Sequence, residues 1–161
     1  SIACPSPQHV RYGGNTSWAR FAAAASWWTD SGDNGYDGYS GSASMLLTDD
    51  DAWWGGLSLT VSAAQQDFDD RDNTPLTYYG KLAYTDRYFD IGRTGFAIMY
   101  SRNEDFRVTD ESMDIVTVGF SQNVDAIGTE LYAGFTNTTF DNPDIDYNDM
   151  NMLQLGAMVR F

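Results

Sequence analysis

An all-β, antiparallel fold whose strands cross a membrane is what this sequence predicts, on three observations. Apolar and small polar residues alternate at a period of two, the alternating stretches run about 11 to 14 residues, and acidic residues crowd every second connection between them. Strands of soluble sheets are shorter, with a mode of about 5 to 6 residues, whereas a tilted membrane crossing takes about 9 to 11.

Taken in order, a weak strand signal, HVRYG at 9 to 13, follows an irregular segment at 1 to 8. Eight stronger stretches fill the rest of 9 to 161: residues 17 to 28, 39 to 48, 54 to 67, 75 to 87, 93 to 103, 113 to 122, 128 to 140 and 150 to 161. In ARFAAAASW, Ala19, Phe21, Ala23, Ala25 and Trp27 oppose Arg20, Ala22, Ala24 and Ser26. In GLSLTVSAA, Leu57, Leu59, Val61 and Ala63 oppose Ser58, Thr60 and Ser62, and in TVGFSQ, Val116, Val118 and Phe120 oppose Thr117, Gly119 and Ser121. The last stretch sets Leu153, Leu155, Ala157, Val159 and Phe161 against Met152, Gln154, Gly156, Met158 and Arg160. Neighbouring stretches are close enough to pair as hairpins, and no gap holds a crossover helix. Aromatic residues gather near the strand ends: Trp27 and Trp28, Trp53 and Trp54, Tyr78 and Tyr79, Tyr88 and Phe89, and Phe161. Rings with a polar tip and an apolar body suit a bilayer interface.

Sixteen of the 23 acids fall in or beside four longer connections: Asp30, Asp33 and Asp37; Asp67, Asp69, Asp70 and Asp72; Glu104, Asp105, Asp110, Glu111 and Asp114; and Asp141, Asp144, Asp146 and Asp149. The connections around Asp49 to Asp51, Phe89 to Gly92 and Asn123 to Ile127 are short. Successive hairpin turns alternate between the two ends of a sheet, so the acids collect at one end. Long polar loops at one end and short turns at the other is the layout of an outer-membrane barrel.

The totals limit the function classes. The 161 residues and 42% apolar content suit one domain, and the formal net charge of −14 argues against nucleic acid and against peripheral binding to anionic lipid. No run of 18 apolar residues exists, a test that excludes a transmembrane helix and is blind to strands. Cys4 is the sole cysteine, so there is no internal disulfide and no thiolate-rich metal site. SIAC lacks the apolar stretch that precedes a lipidation box, and residues 1 to 10 show no signal peptide, which reads as a processed chain or a piece of a longer one. No nucleophile elbow, phosphate loop or zinc spacing occurs, His9 has no second histidine as partner, and Asp69 and Asp70 read as solvated loop, so no enzymatic activity is expected. DNPDIDYND places Asp141, Asp144, Asp146 and Asp149 as a weak site for a divalent cation such as Ca²⁺, but it lacks the central Gly and terminal Glu of an EF-hand, and a simple solvated loop is the better reading. No other cofactor is expected.

Arg20, Lys81, Arg87, Arg93, Glu130 and Arg160 share the phase of the small polar residues and are assigned to a pore lining. On the lipid side an Arg or Lys would cost about 2 to 4 kcal/mol at mid-membrane. Arg87, Arg93 and Arg160 lie near strand ends, where they are placed to hold turn acids such as Asp90.

Residues 115 to 135, IVTVGFSQNVDAIGTELYAGF, and the final MLQLGAMVRF resemble the closing strands of the Gram-negative outer-membrane general porins; RYGGNTSWARFAAAASWW and GLSLTVSAA resemble earlier strands of that family. The resemblance implies a sixteen-stranded, homotrimeric channel for passive diffusion of ions and small hydrophilic solutes. It implies contact with outer-membrane lipid and lipopolysaccharide, acidic loops outside, a periplasmic C-terminus, and Phe161 as the signal read by the barrel-assembly machinery. Arg20 and Lys81 become candidates for the basic wall opposite a constriction loop, which in the family belongs to the N-terminal half. Members of the family are much longer, so the chain is expected to be either the C-terminal half, with the remaining part of the barrel its partner, or a small eight-stranded barrel. A non-conducting outer-membrane barrel of structural or adhesive role and a soluble β-barrel or sandwich binding module stay open as alternatives.

Overall fold

A computed structural model describes residues 8–30, 35–49, 51–68, 73–106 and 108–159. They form one nine-stranded antiparallel sheet in strict sequence order. The strands are β1 (Gln8–Asn15), β2 (Ala19–Asp30), β3 (Tyr36–Leu47), β4 (Leu57–Phe68), β5 (Leu76–Phe89), β6 (Gly92–Glu104), β7 (Ser112–Val124), β8 (Thr129–Asp141) and β9 (Met150–Val159). A single turn of 3₁₀ helix, Asp125–Ile127, joins β7 to β8. Each strand pairs with its neighbour along the chain, and β1 and β9 are each paired on one side only, so the sheet is open.

The weak 9 to 13 signal is a full strand, β1, paired from Gln8 to Asn15 with Trp27 to Arg20 of β2. The connection between β3 and β4 is longer than its expected 49 to 53: β4 begins at Leu57, and residues 51–56 form turns before it. Between β5 and β6 the reverse holds, because β5 runs on to Phe89 through a register shift between Asp86 and Phe89, leaving a two-residue turn. Gly92 makes that turn possible. Its φ is 150°, and a Cβ there would meet the Asn123 carbonyl oxygen at 2.3 Å. At the β1–β2 turn the Thr16 hydroxyl accepts the backbone N–H of Ala19 at 3.0 Å.

The sheet has no second layer among the described residues, and the buried apolar side chains there are small: Ala19 and Pro75. The most enclosed polar pair is Thr94, fully buried, which donates to Gln122 Oε1 at 2.6 Å. Gln122 in turn donates through Nε2 to the carbonyls of Asn123 at 2.8 Å and Arg93 at 3.3 Å, tying the turn-side ends of β6 and β7.

Candidate functional site

The register sorts every strand residue onto one of two faces. One row across the sheet reads Phe21, Met45, Leu59, Leu82, Ile98, Val118, Phe135 and Leu153. The next row, on the opposite face, reads Ala22, Ser44, Thr60, Lys81, Met99, Thr117, Thr136 and Met152. The first face is apolar and the second carries hydroxyls, amides and charge. Exposure runs opposite to polarity: Val61 is 45% and Val118 46% exposed, while the flanking Thr60, Ser62, Thr117 and Gly119 are only half-exposed. A water-soluble sheet hides its apolar face against a second layer and shows its polar face to solvent. Here the polar face is the sheltered one. Leu57, Leu59, Val61, Val116, Val118, Phe120, Leu155 and Val159 all lie on the apolar face, as the alternation predicts.

Aromatic side chains bound the apolar face at two levels. On the side of the acidic loops, Trp27 of β2 is level with Tyr39 of β3. Tyr78 of β5 is level with Ala63, Gly41 and thus Ala25 of β2, and Tyr100 of β6 with Gly80, Val61, Ala43 and thus Ala23. From β2 to β6 this belt therefore slips four residues over four strand steps. At about 3.3 Å per residue and 4.8 Å per strand, a belt at constant height needs strands tilted by about 35°. Strands of membrane barrels tilt by about 35 to 45°.

On the other side, Tyr84, Tyr88, Phe96 and Phe120 form a chain of ring contacts with centroids 5.4 to 6.2 Å apart. Tyr84 also donates its hydroxyl to the Trp53 carbonyl at 2.9 Å. Tyr78 and Tyr88, ten residues apart on β5, mark a band about 33 Å long along the strand, or about 27 Å in height after the tilt, against about 25 Å for the apolar band of a membrane barrel. Between the belts the described apolar face carries one charged residue, Asp86, next to the short turn between β5 and β6.

The polar face holds a mid-strand charge, Lys81, and further charges near the short-turn ends of the strands. Arg20 and Lys81 lie on it, as does Glu130, opposite Asn123 and Met158. Arg20, Arg87 and Arg93 line one cavity of about 580 Å³ near the short turns. Arg87 is bound through Nη2 to Asp125 Oδ2 at 2.9 Å and to the Asp90 carbonyl at 3.4 Å; its acidic partner is therefore Asp125 of the 3₁₀ turn, not the Asp90 carboxylate. Arg160 and Phe161 lie outside the described residues, as do Asp33, Asp69, Asp70 and Asp72.

Asp141, Asp144, Asp146 and Asp149 are exposed and are not gathered: among the described residues no three acidic, histidine or cysteine side chains converge on a metal position. Asn142 Oδ1 accepts the backbone N–H groups of Asp144 and Ile145 at 3.0 and 3.1 Å, an Asx turn that accounts for the Asn-Pro-Asp spacing without an ion.

Two charged features go beyond the sequence reading. Arg11, in the strand taken as weak, lies on the polar face and lines a cavity of about 340 Å³ with Ala22, Ser42, Ser44 and Thr60. Its alternation with Val10 and Tyr12 was the available signal. Arg102 lies on the apolar phase just beyond the Tyr100 level and binds Glu104 Oε1 at 2.6 Å and Asp114 Oδ2 at 3.1 Å. That cluster sits among the acidic-loop ends of β6 and β7, where a charged head has water within reach.

Neither family models, nor curated proteins, nor solved structures give a match to this chain.

Proposed function

We propose that the chain forms part of the wall of an outer-membrane diffusion channel, with the apolar face against lipid and the polar face against a water-filled lumen that passes ions and small hydrophilic solutes. The observation that carries this reading is the sheet's inverted polarity: a large apolar face, bounded by two aromatic belts, has no core to enter, while the polar face is the sheltered one. In a bilayer that arrangement is the stable one, because lipid satisfies the apolar face and a lumen hydrates the other.

The strand count supports a larger barrel than one chain's nine strands. In an antiparallel sheet β1 and β9 run the same way. Closing the wall with antiparallel pairs throughout therefore takes an odd number of further strands, and seven would reach the sixteen that the porin resemblance implies. On this reading the acidic ends face outward, where lipopolysaccharide and bridging divalent cations lie. The C-terminal strand ends on the periplasmic side with Phe161 presented to the assembly machinery, and the complete barrels form trimers.

Swelling of liposomes in solutions of small sugars tests the proposal. Vesicles containing the folded protein are expected to swell at rates that fall with sugar size. Sheet-folded protein that leaves the vesicles impermeable would count for the non-conducting alternative.

A further inference from the structure

We propose that the open cleft lined by Arg20, Arg87 and Arg93 is a binding site for a small oxyanion, specifically a phosphate group carried by a solute. It does not depend on the channel reading, since it rests on the cavity alone.

The site is assembled from four elements. Arg20 comes from β2, Arg87 from the turn-side end of β5, Arg93 from the start of β6, and the floor from the loop at 51–56, which contributes Ala52, Gly55 and Gly56. The loop can pack there because two glycines let it approach. A Cβ on Gly55 would meet the Asp49 carbonyl oxygen at 2.0 Å, and one on Gly56, whose φ is 86°, would meet the Thr85 carbonyl oxygen at 2.0 Å. The loop is fixed by two backbone bonds, Gly56 N–H to the Leu47 carbonyl at 2.8 Å and Thr85 N–H to the Gly56 carbonyl at 3.1 Å. The cleft leaves about 580 Å³ open, ample for a phosphate and part of the molecule that bears it.

The charge balance favours an anion. Arg87 is neutralised by Asp125. Asp86, which also lines the cavity, accepts from the Arg87 backbone N–H at 2.6 Å. Arg20 and Arg93 form no ion pair among the described residues. Two arginines without an acidic partner thus line a cleft in which Asp86 is the one carboxylate among the described lining residues. Guanidinium forks match the paired oxygens of a phosphate better than they match chloride, which is why the class of ligand is an oxyanion.

Equilibrium dialysis of radiolabelled inorganic phosphate against the folded protein in a phosphate-free nonionic detergent tests the site, with sodium chloride at matched ionic strength as the reference for simple screening. The folded protein is expected to bind phosphate saturably, and the R20Q/R93Q double variant to bind it at least about tenfold more weakly. Lys81→Gln, which removes a cation from the same face two rows from Arg20 and six from Arg93, is expected to leave binding unchanged. Ala52→Glu, placing a carboxylate from the floor into the cleft, is expected to abolish it and provides a second route should the double variant fail to fold. Absence of saturable binding by the unaltered protein would overturn the site, as would equal weakening by Lys81→Gln or undiminished binding by Ala52→Glu. Because the readout needs no conductance, it is separable from the fate of the channel proposal.

Discussion

Placing an arginine on the apolar face should cost an amount set by its height between the aromatic belts. Val118 lies midway: its strand neighbours on that face are Val116, level with Tyr100, and Phe120, level with Phe96, and its cross-strand partners are Ile98 and Phe135. Val118→Arg therefore puts the guanidinium near the middle of the band, where the penalty is about 2 to 4 kcal/mol. At 1.4 kcal/mol per tenfold, that is about a 30- to 700-fold fall in the folded-to-unfolded ratio. Gln65 lies on the same face but level with Tyr39 at the belt, so Gln65→Arg should cost only about 0 to 1 kcal/mol. Thr117 neighbours Val118 on the other face and shares a hydroxyl bond with Thr136 at 2.9 Å. Thr117→Arg loses that bond, worth about 1 kcal/mol, and keeps its charge in water. Urea titration of folding into lipid vesicles, read by the heat-modifiable band on gels, measures all three. Equal penalties for Val118→Arg and Thr117→Arg, or a penalty at Gln65 as large as at Val118, would refute the assignment of faces.

Three further outcomes are expected. Thr94→Val leaves Gln122 Oε1 without its buried donor and should destabilise the sheet by about 1 to 3 kcal/mol, whereas pairing it with Gln122→Leu should recover part of the loss in a double-mutant cycle followed by urea unfolding. Asp37 and Asp67 stand directly opposite each other on β3 and β4, so Asp67→Asn should raise stability by about 0.5 kcal/mol in dilute buffer, a gain that disappears near 1 M salt as the screening length falls to about 3 Å. In reversal-potential measurements under a salt gradient, changing Asp141, Asp144, Asp146 and Asp149 to Asn should reduce cation preference at low salt; an unchanged potential would assign selectivity to the polar face, with Arg20 and Lys81.

The two faces were legible in the sequence because a period of two is a local property: Leu59 and Val61 oppose Thr60 whatever the partner strand. Strand order was legible for a similar reason, since short connections force neighbours to pair. Features that depend on register were not. The Thr94–Gln122 pair, the Arg87–Asp125 bridge and the three-arginine cavity each join residues from different elements, and their relative heights are set by the pairing of β5 with β6 and of β6 with β7. β1 was under-read because Gly13, Gly14 and Asn15 have little strand propensity, and pairing with β2 outweighs it. The loop at 51–56 was under-read because Trp53 and Trp54 look like the start of a strand, while Gly55 and Gly56 turn the chain just before Leu57.

Site-directed labelling across the sheet tests the central claim most directly. In a background with Cys4 replaced by Ser, single cysteines are placed at Val118 and at Thr117, adjacent residues on opposite faces, and the folded protein in vesicles is exposed to a thiol reagent confined to lipid and to one confined to water. The account predicts that Val118→Cys reacts with the lipid-confined reagent and not the aqueous one, and that Thr117→Cys does the reverse. Labelling of Val118→Cys only from water would contradict it.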